Sequence, residues 1–424
     1  MIERYNTPEL RFIWSDENKI NIWKNVSAQY VYNLSKHDFN VEDLINIIIT
    51  PYEIAEHERI TKHEFLAFIE LFTKKAPIYL KKYIHYGLTS SDILDTSYSI
   101  QLSQALEKII DNLKTFILTL KNKAIEHKDT MMMGRTHGMY AEPISFGHII
   151  LTFYHEFNRA LKRLEIVAEN INYGQLSGPV GNYVLCSHDI EQKTLKDLNL
   201  KVEPTSTQVI PRDRYAELFC SLAILASSME RIATEIRQLS QSSVGEVAEG
   251  FAVHQKGSSA MPHKKNPIGS ENICGLSRLI RSYALPALEN ITLWHERDMS
   301  HSSNERLIGQ DATSLTFYCL NRLNEIVKNL IVNKDKMQEN IKNSKYLFYS
   351  QRLLLMLVEK GYNRDEAYKI VQDIAFKTQQ STHTFQEVFN QHDIKIKLNC
   401  NEKELFDFDF YTKHNDIFFK NIKE

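Results

Sequence analysis

Between residues 142 and 173, apolar residues recur at alternating steps of four and three: Phe146, Ile150, Phe153, Phe157, Ala160, Leu164, Val167 and Ile171. Between 213 and 248 the same rule places Leu218, Leu222, Leu225, Met229, Ile232, Ile236 and Leu239. This is the heptad spacing of helices that pack side by side at a shallow angle. Further long helical patterns run over about 92–127, 267–293 and 304–342, giving five in all. Such lengths exceed what a small globular domain needs. They predict an all-α protein with an elongated central bundle, whose outer faces pair with other subunits. Scarce glycine (14) and proline (10) agree with a helical chain.

The flanks read differently. Short helical patterns lie near 17–34 and 52–74, and Pro77 ends the second. From about 345 onward, short helices lead to an aromatic-acidic segment, Phe406 to Tyr411. The predicted organisation is three domains: 1–92 N-terminal, 93–344 the central bundle with a loop at 251–267, and 345–424 C-terminal. No internal repeat or low-complexity tract interrupts it.

Composition excludes several function classes. A formal net charge of −2 and a pI near 6.8 give no electrostatic reason to expect nucleic acid or a membrane surface as partner. No run approaches the roughly 20 apolar residues of a membrane span, and Met1 to Tyr5 lack a signal-like stretch. The five cysteines stand far apart and in odd number, which suits reduced thiols in the cytoplasm. His295-Glu296 starts a zinc-protease-like pair, but Met299 stands where the second histidine belongs. No metal and no cofactor are expected.

The chemistry concentrates at breaks between the long helices. In Gly257-Ser258-Ser259-Ala260-Met261-Pro262-His263-Lys264-Lys265-Asn266-Pro267, two prolines and a glycine make a loop. Asn266-Pro267 reads as N-cap and first residue of the next helix. That helix start is expected to aim free N–H groups at the loop, ready for an anion. Ser258 becomes a plausible base only if its alkoxide is stabilised, and Lys264 with the helix start supplies what that needs. His85-Tyr86-Gly87-Leu88-Thr89-Ser90-Ser91-Asp92 is an N-cap cluster, where Thr89 and Ser90 hydroxyls can also hold a carboxylate. In Met133-Gly134-Arg135-Thr136-His137-Gly138, glycines flank a histidine able to donate a proton near neutral pH. Arg4, Lys62, Arg297 and Arg306 are spare cations, more than two carboxylates require, which hints at a phosphate as well.

The loop string resembles the signature of the fumarase/aspartase/argininosuccinate lyase superfamily, G-S-S-x-M-P-x-K-x-N-P, at every fixed position. Within that superfamily the chain most resembles the adenylosuccinate lyase family. The start Met1 to Tyr5, Tyr86 to Asp92, Met133 to Gly138, Ser206-Thr207-Gln208, Trp294 to Asp298 and Ser300 to Ser303 all look like that family's motifs. His263 adds to the likeness, since fumarases and aspartases carry a small residue there.

The resemblance implies three-domain, all-α subunits whose central helices form a twenty-helix core in a homotetramer. It implies small-molecule substrates: adenylosuccinate, cleaved to AMP and fumarate, and SAICAR, cleaved to AICAR and fumarate. Ser258 matches the family's general base and His137 its general acid. His63 matches a histidine near the substrate phosphate that assists His137. Arg4, Tyr5, Lys62, Glu64, His85, Thr89, Ser90, Gln208, Ser259, Lys264, Lys265, Asn266, Asn272, Arg297, Ser302, Ser303, Asn304, Glu305 and Arg306 match substrate-binding positions, and Glu271 a supporting acid. Each active site is implied to draw residues from several subunits. One departure stands out: bacterial forms often read Arg-His-Asp where this chain has Lys62-His63-Glu64, and lysine lacks the bidentate fork. Two alternatives remain open on sequence grounds, another fumarate-releasing or carboxymuconate-type lyase and an inactive helical scaffold.

Overall fold

The computed structural model describes residues 1–251, 260–398, 401–420 and 422. The principal helices are α1 (Asp16–Leu34), α2 (Pro51–Thr61), α3 (Glu64–Lys75), α4 (Ser90–Glu126), α5 (Phe146–Ile171), α6 (Asp213–Leu239), α7 (Ile268–Ser282), α8 (Ala284–Glu289), α9 (Ser300–Lys328) and α10 (Lys334–Asn343). Further helices, α11 (Tyr349–Glu359), α12 (Arg364–Gln380) and α13 (Phe385–Gln391), come after them. The fold is all-α. Among the described residues the strands form only two-stranded ribbons, the longest pairing β1 (Met131–Thr136) with β2 (Met139–Ser145). No helix among the described residues is long and apolar enough to cross a membrane.

Every residue of the two heptad stripes is buried, as their spacing predicts. The limits expected for three of the long helices need correcting. The pattern over 213–248 stops at Leu239, where a polar run leads to Gly245 at φ +63° and a strand at Val247–Ala248 that pairs with Ile331–Val332. That same ribbon interrupts the pattern over 304–342 after Lys328. The pattern over 267–293 divides between α7 and α8, because Pro286 has no N–H to continue the ladder.

The chain divides into two compact units. The first comprises 1–116, 157–231 and 272–323, the second 117–156, 232–271 and 324–424. In the first, Trp23, Phe65, Phe68 and Phe72 pack ring against ring at 5.4–5.7 Å. Burial of each such side chain is worth about 2–3 kcal/mol, enough to hold α1 and α3 together. Helix α2 starts at a reciprocal capping box between Thr50 and Glu53. The pattern read as one helix over 52–74 is broken at Lys62, which takes a left-handed conformation (φ +56°), and α3 restarts at His63. In the second unit, Met131 and Met133 of β1 pack with Ile341, Phe348, Tyr349, Leu353 and Phe385 of the C-terminal helices.

Candidate active site

A cleft of about 920 Å³ opens in the first unit. Lys62, His63 and Glu64 line it from the break between α2 and α3. His63 is the N-cap of α3, and its Nδ1 accepts the Leu66 N–H at 3.3 Å. That bond makes Nδ1 the acceptor, so the neutral ring carries its proton on Nε2. Glu64 is held by Lys19 at 2.6 Å.

Thr89 and Ser90 line the cleft at the start of α4. Capping there is the work of Asp92: one carboxylate oxygen takes the Thr89 N–H at 2.7 Å, the other the Ser177 and Gly178 N–H groups at 2.9 and 3.2 Å. Burial pushes the Asp92 carboxyl up to about 7 against the pull of those N–H groups. Gly87 has φ +75°, and a Cβ there would lie 2.2 Å from the Leu185 carbonyl oxygen, so only glycine fits this turn. His85, also left-handed at φ +57°, packs 5.5 Å from Phe65. Its Nδ1 is buried without a partner, and burial lowers its basicity.

The far wall comes from the segment before α9 and its first turns. Arg297 donates to Gln208 Oε1 at 2.9 Å, and Gln208 Nε2 donates to the Pro179 carbonyl at 2.8 Å. Burial lowers the Arg297 guanidinium below its ordinary value. Ser302, Glu305 and Arg306 complete this wall. Ser303 is exposed and Asn304 exchanges amide bonds with Asn290 at 2.7 and 2.8 Å; neither lines the cleft. Tyr5 and Asn272 are neighbours elsewhere in this unit (3.4 Å), with Tyr318 against both. Arg4 is exposed.

Under the cleft lies a charge network whose central pair, Asp95 and Arg212, no sequence motif announced. Arg212, fully buried, grips Asp95 with both ends of its fork at 2.6 and 2.8 Å and meets Glu305 at 3.1 Å. Burial pushes the Glu305 carboxyl up to about 7, with Arg212 opposing. His301, also buried, has an unpartnered Nδ1, and burial lowers its imidazole to about 4. Asp95 and Arg212 are 117 positions apart in sequence, so no local spacing betrays them. Because Arg212 matches both buried carboxylates, Lys62, Arg297 and Arg306 remain as cations facing the cleft. With the Thr89, Ser90 and Ser302 hydroxyls they suit a multiply charged anion.

The remaining predicted residues belong to the second unit. His137 and Gly138 form the two-residue turn of the β1–β2 hairpin, with φ +54° and +77°, and the imidazole is exposed. Lys264 and Lys265 are exposed; Lys265 Nζ lies 5.8 Å from the Phe251 ring. Ser258 and Ser259 lie outside the described residues. Glu271 is exposed on the first turn of α7. The expectation of free N–H groups at the start of α7 is corrected. The buried Glu249 carboxylate takes the Gly269 N–H at 3.0 Å and the Ser270 N–H and hydroxyl at 2.7 Å each. The chain itself supplies the anion that this helix end attracts.

Comparison with known proteins gives this arrangement its class. The family model described as Lyase matches residues 17–281. The fold also matches the crystal structure of fumarate lyase from Mesorhizobium sp. BNC1, with TM-score 0.88, 21% identity and 99% of each chain covered. The 3-carboxy-cis,cis-muconate lactonizing enzyme from Pseudomonas putida matches with TM-score 0.88 at 21% identity, covering 98% of this chain and 96% of that one. The protein is thus a lyase of the fumarase superfamily. A second model, described as Adenylosuccinate lyase C-terminus, matches residues 347–422. The adenylosuccinate lyase of Thermotoga maritima is 43% identical, with 100% of both chains covered. That of Aquifex aeolicus is 42% identical, covering 96% of this chain and 94% of its own. The chain belongs to the adenylosuccinate lyase family.

Proposed function

We infer that the protein releases fumarate from adenylosuccinate, giving AMP, and from SAICAR, giving AICAR. The observation that carries this reading is the cleft of Lys62, Arg297, Arg306, Thr89 and Ser90, in a chain similar over its whole length to adenylosuccinate lyases. In the proposed elimination, Ser258 Oγ takes the proton from the carbon next to a substrate carboxylate. The electron pair is held as the carboxylate dianion, which Lys264 and Asn266 stabilise. The carbon–nitrogen bond then breaks, and His137 gives its proton to the leaving nitrogen. His63, with its Nε2–H free to donate, serves the phosphate end and assists His137. Gln208, Arg297, Ser302 and Arg306 hold the nucleotide part.

The same reading makes the protein a cytoplasmic homotetramer of three-domain subunits with shared active sites. Half-exposed Leu118, Ile125, Ile166 and Ile224 on α4, α5 and α6 support it, since these are apolar faces left for partners. The test is fumarate release, followed by absorbance, with each substrate offered separately to purified protein. Turnover of both is expected. Failure with adenylosuccinate overturns the reading, and failure with SAICAR alone removes the second substrate.

A further inference from the structure

Glu246 stands where several segments of the second unit meet. It is fully buried. Its carboxylate takes both Nη1 and Nη2 of Arg135 at 2.9 and 2.8 Å, and Nδ2 of Asn340 at 2.7 Å. Its backbone is anchored too: its N–H donates to the Leu239 carbonyl, and its carbonyl accepts from the Asn333 N–H, both at 2.9 Å. Arg135 lies on β1, two residues before His137. It is paired across the hairpin with Tyr140, and its guanidinium sits 5.3 Å from that ring. Arg135 Nη1 also donates to the Met133 carbonyl at 3.0 Å, spanning the register shift between Met133 and Arg135. A shift of this kind bends a ribbon and re-aims the residues beyond it.

We propose that Arg135, clamped by Glu246 and Asn340, is the positioning group that aims the hairpin turn carrying His137. The proposal rests on the reading of His137 as general acid. Between the turn and the rest of the unit only the Thr136–Met139 pair intervenes, and Arg135 is the nearest preceding residue whose side chain ties the ribbon to other segments. The bidentate fork fixes one side-chain geometry, which a single ammonium cannot do. Proton transfer needs placement to within about 0.5 Å, so loosening the turn acts on the rate rather than on binding.

The experiment compares the full-length enzyme with Arg135→Lys, Glu246→Gln, His137→Ala and the double variant Arg135→Lys/His137→Ala, with adenylosuccinate as substrate. Arg135→Lys and Glu246→Gln should each lower kcat by roughly tenfold to a hundredfold, with KM within about twofold. In the His137→Ala background, Arg135→Lys should cost nothing further, because the group it aims is gone. An unchanged kcat in Arg135→Lys, or an equal loss with and without His137, overturns the proposal. Full activity in His137→Ala instead removes the general-acid reading on which the proposal depends, a result distinct from either. If Glu246→Gln does not fold, Arg135→Lys still decides, since the Arg135 side chain is 19% exposed and its substitution keeps the charge.

Discussion

Asp95 and Arg212 form a two-bonded ion pair at 2.6 and 2.8 Å beneath the cleft. Asp95 also accepts the Ile210 N–H at 2.8 Å, so the pair fixes the chain entering α6 as well as α4. Removing Arg212 leaves the buried Asp95 and Glu305 carboxylates without their cation, at a cost of about 3–5 kcal/mol, whereas removing Asp95 leaves Arg212 with Glu305 still at 3.1 Å. Arg212→Ala should therefore lower the unfolding midpoint markedly and Asp95→Ala by less, and replacing both by apolar residues should cost less than the two single losses added. Urea titration of the two singles and the double checks this. Additive losses would mean that the pair contributes no coupling.

His301 gives the pH dependence a sign. Its folded pKa, near 4, lies below the ordinary histidine value of about 6.5. The unfolded chain thus binds the extra proton first, and stability from this group is lost as pH falls from about 6.5 to 4. The full shift corresponds to roughly 3 kcal/mol as an upper bound. His301→Gln should flatten the melting profile across that window and leave it unchanged at pH 8. Parallel profiles for variant and wild type would show that another group carries the acid loss.

Glu249 and the start of α7 make a third case. Three hydrogen bonds converge on one buried carboxylate. Glu249→Ala strands the Gly269 and Ser270 N–H groups and should cost about 2–3 kcal/mol, while Glu249→Gln, which keeps an acceptor, should cost less. Thermal unfolding of the two variants measures the difference. Equal, small losses would mean that water replaces the carboxylate without penalty.

How much of this was legible in the sequence depends on the range of the interaction involved. The stripes from Phe146 to Ile171 and from Leu218 to Leu239 declare their buried face, because burial on a long helix repeats every three or four residues. Motif residues such as Thr89, Ser90, His137 and Arg297 stood out because loop chemistry at helix breaks is local. The break at Lys62 was hidden, since a lysine in the left-handed region carries no compositional mark. The β1–β2 ribbon was hidden as well. Met131, Met132 and Met133 are not β-branched, and their pairing partners, Ser145, Ile144 and Pro143, become evident only once the chain has turned. Asp95, Arg212, Glu246 and Glu249 escaped notice for the same reason. Each is an ordinary charge until a residue tens or hundreds of positions away is brought against it.

The last prediction tests assembly and chemistry together. In the proposed reading, Ser258 and His137 acting on one substrate come from different subunits. Ser258→Ala and His137→Ala should each lose on the order of 10²–10⁴ in rate, because each removes one proton-transfer partner. Mixed in equal amounts under conditions of subunit exchange, the two inactive variants can rebuild whole sites. A site is intact when its serine comes from the His137→Ala chain and its histidine from the Ser258→Ala chain. Random assembly gives each event a chance of about one half, so about one quarter of sites are restored in a symmetric oligomer. Activity should climb from near nothing to roughly a quarter of wild type. Native mass spectrometry shows whether mixed oligomers have formed. If they have and no activity returns, Ser258 and His137 serve a site within one chain, and the shared-site arrangement is wrong.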